Sequence, residues 1–464
     1  QKGWKLKFTD AKGSHHELTG VTKEGNPIYY KTLNLDAAIS TRANFLHNNG
    51  GLGLNIEGQG MTAYVWDAGL SNETHQEYDG DGGENRFSTG DGSTVLDDHG
   101  AHVMGTIISS GLNPAAKGMT PKANGIGNDW NNDESEATSA AANGMLISNH
   151  SYTRSPQNTP DWYYGAYVGY SRDWDNIMYN APYYLQVTAA GNSGTDNSSN
   201  GNPLEGNSAF DKIYGMQTSK NGLAVANGQD AIINADGSLD SVLRNPGSSE
   251  GPTDDLRIKP DIMGNGTGLY STLSSSDDAY DTYSGTSMAS PNITGTLLLL
   301  QQYYNEVYGT FMKAATLKGL ALHTADDAAA IGPDAETGWG LMNAKKAVET
   351  ITNNGLQSII SEIDLTQGNT YTLVVNSDGV EPLLASISWT DPAGEVNTGV
   401  VNDATPVLVN DIDIRVTKDA ETFMPWKLTS VITNEKEDNI VDPYERVDVE
   451  SASGDYTITI THKG

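Results

Sequence analysis

Two rhythms of apolar and polar positions divide the chain. From about Gln59 to about Thr350, short apolar runs alternate with stretches of helical period. "MTAYVWD" (61–67) and "APYYLQVTAAGN" (181–192) are apolar over successive positions and then turn polar, the pattern of a strand covered on both faces. "HGAHVMGTIISS" (99–110), "SMASPNITGTLLLLQQYYNEVYG" (287–309) and "GTFMKAATLKGLALHTA" (309–325) predict helices. Strands and helices in alternation predict an α/β core with a parallel sheet flanked by helices.

After about Ile359 the period drops to two. "YTLVVNS" (371–377), "LLASISWTDPAG" (383–394), "DIDIRV" (411–416) and "DYTITITHK" (455–463) predict an antiparallel β-sandwich. The expected division is a polar N-terminal arm over 1–40, an α/β unit over 41–355 and an all-β unit over 356–464. "TNNGLQ" (352–357) is the hinge region. No internal repeat is visible.

Composition narrows the chemistry. The 464 residues can bury a sizeable core. There is no Cys, which removes disulfides, thiolate metal sites and thiol catalysis. Acidic residues outnumber basic ones 59 to 27, for a net charge of −32. That field repels nucleic acid and anionic membranes, and carboxylates in such number suit a hard cation such as calcium. "ITGTLLLLQQYY" (293–304) is too short to span a bilayer and turns polar at Gln301. "QKGWKLKFTD" (1–10) lacks the apolar centre of a signal peptide, so an exported form would be cut from a longer precursor, with Gln1 at a trimmed terminus. A monomer is expected.

Three polar residues stand where apolar runs stop or helices begin: Asp67, His99 and Ser287. A serine hydroxyl needs a base to become a nucleophile, and a histidine can take that proton and later give it to a leaving amine. A buried aspartate holds the imidazole in the right tautomer and stabilises its charged form. Ser287 at a helix start equally fits a plain N-cap. "TAAGNSG" (188–194) adds Asn192, whose side-chain amide can face a developing oxyanion after the sharp turn at Gly191.

"AYVWDAG", "DDHGAHVMGTI", "AAGNSG" and "SGTSMASPNITG" stand in that order, and together they resemble the four signature blocks of the subtilisin-like serine proteases. The resemblance implies a secreted serine endopeptidase working through an acyl-enzyme. In it Asp67, His99 and Ser287 form a catalytic triad, and Asn192 shares the oxyanion hole with the Ser287 N–H. It further implies that Ser151, Tyr152 and Thr153, in a stretch similar to the family's substrate-pairing edge strand, bind substrate together with Ala190 and Gly191. Ala101 and Met104 depart modestly from the pattern, and His102 is expected to be structural. Pro291 is expected to be tolerated as a first-turn residue of its helix.

The C-terminal pattern resembles the jelly-roll sandwich of some bacterial alkaline subtilases and the P-domain of kexin-like convertases. There Asp391, Asp411 and Asp413 match positions implied to hold structural calcium. Two rivals stand beside this reading. A sedolisin would carry Asp where Asn192 stands and would lack the "HGAH" block. A catalytically inactive binding or adhesion protein would have lost a triad member.

Overall fold

The computed structural model describes residues 4–5, 7–9, 15–21, 27–31, 34–80, 82–156 and 158–464. The expectation attached to Gln1 lies outside them. Residues 7–9, 15–21 and 27–31 form a small antiparallel sheet. The core of the α/β unit is a seven-stranded sheet of β1 (Thr62–Asp67), β2 (Phe87–Thr89), β3 (Asn124–Asp129), β4 (Ile147–His150), β5 (Leu185–Ala189), β6 (Leu223–Gly228) and β7 (Ile262–Asn265). Their spatial order is β7-β6-β5-β4-β1-β3-β2, and every pairing is parallel.

Parallel strands need crossovers, and here helices supply them on both faces. The helices are α1 (Asn34–Ser40), α2 (Asp98–Ile108), α3 (Asp133–Ala142), α4 (Gly169–Asn180), α5 (Thr286–Tyr308), α6 (Ala314–Thr324) and α7 (Ala344–Thr352). Strand β1 shows why the sequence is apolar on successive positions. Ala63 and Val65 join the core that includes Val103 and Met104 of α2 and Ile293 and Leu297 of α5. Trp66, on the other face, packs with Ala137 of α3 and Trp174 of α4. Helix α5 is buried from Thr286 to Gln302, on every face rather than on one, and its buried polar side chains such as Ser290 and Asn292 are hydrogen-bonded.

The predicted run over 309–325 divides at its start. Gly309 takes φ 73° and closes α5, and α6 begins only at Ala314. A left-handed residue after a helix is where glycine is favoured, because it has no Cβ to clash. Helix α1 packs Ala37 and Ala38 into the main core. Of the stretch 147–153, similar to a substrate-pairing edge strand, residues 147–150 form a central strand between β5 and β1. Only the residues after it leave the sheet.

The C-terminal unit consists of β-sheets. Strands β8 (Thr370–Ser377), β10 (Ile412–Lys418), β11 (Glu421–Phe423) and β15 (Gly454–His462) form one antiparallel sheet in the order β8-β15-β10-β11. Strands β9 (Leu383–Ser388) and β14 (Tyr444–Val449) form a second, and β12 (Trp426–Ser430) pairs with β13 (Thr433–Lys436). Ile414, Val416, Val447, Val449 and Tyr456 fill the space between, as the period-two pattern requires. The unit is docked on the α/β core: Trp426, Leu428 and Tyr444 belong to the main apolar cluster. Trp339 meets Tyr444 edge-on at 5.0 Å.

Candidate active site

The carboxyl ends of β1, β4 and β5 meet the first turns of α2 and α5, the place where an open parallel sheet presents its ligands. Asp67 closes β1 and is 1 % exposed. Its Oδ1 lies 2.6 Å from His99 Nδ1 and also accepts the Ala68 N–H at 2.8 Å. Because a carboxylate can only accept, the imidazole proton sits on Nδ1, leaving Nε2 free to act as a base. The His99 side chain is 35 % exposed, open enough to meet a substrate.

Asp97, not His99, opens α2. Its Oδ1 caps the helix by accepting the N–H groups of His99 (2.8 Å) and Gly100 (3.3 Å). Asp98 pins the same turn by accepting from the Ser274 N–H and hydroxyl. Burial works against a charge on His99, but the hydrogen bond and charge of Asp67, with the charge of Asp97, raise its pKa above the ordinary value. Burial pushes Asp67 above the usual carboxylate range despite its hydrogen bonds.

Ser287 is the second residue of α5. Its hydroxyl donates to the Ser151 carbonyl at 3.1 Å, while the Ser151 hydroxyl donates to the Ser287 carbonyl at 2.9 Å. The second bond explains Pro291. Proline lies four residues beyond Ser287, past the first turn, so it takes away the N–H that would otherwise reach the Ser287 carbonyl. The expectation of a first-turn proline is therefore corrected: the gap is real, and Ser151 fills it from the segment just after β4.

Asn192 is anchored by its oxygen. Oδ1 accepts the Thr286 N–H at 2.9 Å and the Thr286 hydroxyl at 3.0 Å. That main-chain donor settles which amide atom is oxygen, so Nδ2 is left as the free end beside the α5 N-terminus. Gly191 takes φ 111°, and a Cβ there would come 2.8 Å from Ser249 Oγ, so the turn before Asn192 requires glycine. The Gly191 N–H bonds to Thr286 Oγ1 and its carbonyl accepts from the Ser249 N–H.

The substrate-binding candidates separate. Ser151 and Gly191 touch Ser287 and its neighbour Thr286, as described. Ala190 is held in the sheet by a bond from its N–H to the Val225 carbonyl, and the Thr153 hydroxyl reaches Gln217. The Tyr152 ring packs edge-on against Trp130 and His150. Its hydroxyl donates to Asp133 at 2.6 Å and lies 2.9 Å from His150 Nδ1. His150 also stacks on Trp66, and burial lowers it to about 3, so it is a neutral core residue. His102 is likewise structural: it stacks on Tyr283, its Nε2 lies 3.0 Å from the Leu269 carbonyl, and burial lowers it to about 4.

The proposed calcium ligands do not fit a common site. Asp391 is fully buried, paired with Lys220, and accepts the N–H groups of Val409 and Asn410 at 2.8 Å each. Asp411 and Asp413 converge on the Lys463 ammonium at 3.3 and 2.8 Å, and Asp413 also meets Arg415. Each carboxylate already faces a basic side chain, Lys463 serving both Asp411 and Asp413. In the acidic stretch 77–85, Glu77 instead caps a turn, accepting the N–H groups of Gly111, Leu112 and Asn113.

Sequence reasoning missed Asp97 as the α2 cap, Thr286 as the anchor of Asn192 and Ser151 as the partner of the Ser287 carbonyl. One signal was present: a proline four residues after a serine at a helix start demands an outside donor.

A profile described as the subtilase family matches residues 27–340. Among curated proteins, an alkaline proteinase of Hapsidospora chrysogena is 30% identical over 269 residues, covering 57% of this chain and 57% of that protein. A PII-type proteinase of Lactococcus lactis subsp. cremoris is 32% identical over 125 residues, covering 23% of this chain and 6% of that protein. The chain thus spans a little over half of one relative and a small part of the other. Among solved structures, a mutant of the protease domain of PatA aligns with TM-score 0.48 at 18% identity, covering 64% of this chain and 98% of that one.

Proposed function

The chain belongs to the subtilase family, and from that premise we propose that it is a secreted serine endopeptidase acting through an acyl-enzyme. The observation that carries the reading is the Asp67–His99 hydrogen bond at the same carboxyl end of the sheet as Ser287 and Asn192. Ser287 attacks the scissile carbonyl and His99 Nε2 takes its proton. To do so the Ser287 hydroxyl leaves the Ser151 carbonyl and turns to His99. Nδ1–H stays on Asp67, which stabilises the imidazolium as it forms.

The oxyanion is received by two donors. One is Asn192 Nδ2, aimed by its anchored oxygen; the other is the Ser287 N–H at the positive end of α5. His99 then protonates the leaving amine, and water reverses the sequence. These contacts support acyl transfer through a serine.

The test compares hydrolysis of a protein substrate by the wild type with Ser287→Ala, alongside labelling by a sulfonyl fluoride. Loss of turnover to background and modification only of Ser287 are expected. Equal turnover by both forms would refute the assignment and favour the inactive binding-protein reading. Secretion is tested separately, by finding the activity in culture supernatant rather than in the cell fraction.

A further inference from the structure

The seam between the α/β unit and the C-terminal sheets holds two carboxylates with no cation. Asp254 is 3 % exposed and Asp211 is 0 % exposed. Both oxygens of Asp254 are buried and make no hydrogen bond of ordinary geometry, the Asp403 N–H being the one donor close enough to favour the charge, and Asp211 Oδ1 is buried without a partner. Asp211 Oδ2, by contrast, accepts from Asn200 Nδ2 at 2.7 Å and from the Leu204 N–H at 3.0 Å. Buried charge without partners costs several kcal/mol in general, so such a pair is held in its charged form only where a cation joins it.

The two free oxygens face one space. A Cβ built on Gly165 would lie 2.5 Å from Asp254 Oδ1 and 2.8 Å from Asp211 Oδ1. The two oxygens are therefore no farther apart than the sum of those distances, a span that one ion can bridge. Gly165, at φ 65°, leaves that space open. The Asp254 side opens into a cavity of about 90 Å³, which Glu395 and Asp403 of the C-terminal unit also line. The local basic groups face elsewhere: Arg257 Nε bonds both oxygens of Asp255 and its Nη1 the Thr218 carbonyl, and Lys212 binds the Gly194 carbonyl, Asn197 and Glu250.

We propose that Asp211 and Asp254 bind one calcium ion, which ties the α/β unit to the C-terminal sheets. Two carboxylates match the charge of a divalent cation, and all the donors are hard oxygens. Their loop setting, with room for water, suits the larger, less demanding calcium over magnesium. The electrostatics agree. Burial, then Asp211 and Asp255, pushes Asp254 up to about 8, and burial pushes Asp211 to about 6. The site is separate from the Asp391, Asp411 and Asp413 positions, and it does not depend on the catalytic reading.

The test uses the full chain carrying Ser287→Ala, to keep autolysis out of the measurement, stripped with EDTA and titrated with CaCl₂ by calorimetry. Asp254→Asn is expected to lower the calcium stoichiometry by one, and calcium at about 100-fold over Kd to raise Tm by a few degrees only in the Asp254 form. Asp211→Asn serves as the second variant should Asp254→Asn fail to fold, and terbium luminescence reads binding without reference to stability. Unchanged stoichiometry in both variants would overturn the proposal. So would a Tm that ignores calcium but moves with pH, the mark of a carboxyl pair sharing a proton.

Discussion

Replacing Ser151 by Ala should destabilise the protein through Pro291, although the two residues are far apart in sequence. In the wild type the Ser151 hydroxyl donates to the Ser287 carbonyl at 2.9 Å, where proline has removed the helical donor. Ser151 is 3 % exposed and Ser287 9 %, so water cannot take over the bond. Leaving a buried carbonyl unpaired costs roughly 1–3 kcal/mol. At about 2.1 cal/mol/K per residue, each kcal/mol moves the midpoint of a unit this large by about 1–2 °C, so a fall of roughly 1–6 °C is expected.

Pro291→Ala restores an N–H four residues beyond Ser287 and should recover most of that loss in the Ser151→Ala background. In the wild-type background the same change adds a donor to an already satisfied carbonyl and relaxes the unfolded chain, so it should do little or harm slightly. The four thermal midpoints, measured at one scan rate in a His99→Ala background, form a double-mutant cycle in which the unfolded-state effect of proline cancels. A coupling energy of about 1 kcal/mol or more is expected. Coupling below about 0.3 kcal/mol would refute the claim that the two residues compensate each other.

Asn192→Ala should lower kcat by about 10²–10³ with little change in KM, a magnitude known from subtilisin, a relative; a loss confined to KM would remove Asn192 from the oxyanion hole. Because Asp67 and Asp97 raise His99 above its ordinary value of 6.5, the acid limb of kcat/KM should fall above that pH, and Asp97→Asn, which keeps the cap oxygen but not the charge, should move it downward. The stability that His99 gains from these partners is full below its unfolded pKa and fades as pH rises through the raised folded value, so a stability profile rising over that window would contradict the assignment. Lys220→Met should cost about 3 kcal/mol or more, since it strands the fully buried Asp391 charge between the two units; a loss under about 1 kcal/mol by urea titration would show that the Val409 and Asn410 amides suffice alone.

What the sequence determined by itself was whatever depends on local period and residue type. Strand β1 is legible because both its faces are buried, α5 because its apolar run is long and the helix ends at a glycine, and a C-terminal strand such as β8 because its exposure alternates. Asp67, His99, Asn192 and Ser287 are legible as a set because their chemistry demands those side chains at element ends. What only the tertiary structure decided was each side chain's partner. The Ser151–Ser287 exchange joins residues 136 positions apart, and Asp391 meets Lys220 across 171. Tyr152 turns toward Asp133 because α3 offers a carboxylate on that face of the sheet, and nothing in "NHSYT" says so. Burial pattern follows from the chain's own periodicity, whereas the pairing of polar groups follows from which segments the packed core brings together. The acidic residues show the difference most sharply: composition makes all of them candidates for a cation, and packing gives a lysine to Asp391 and Asp413 and leaves Asp254 with none.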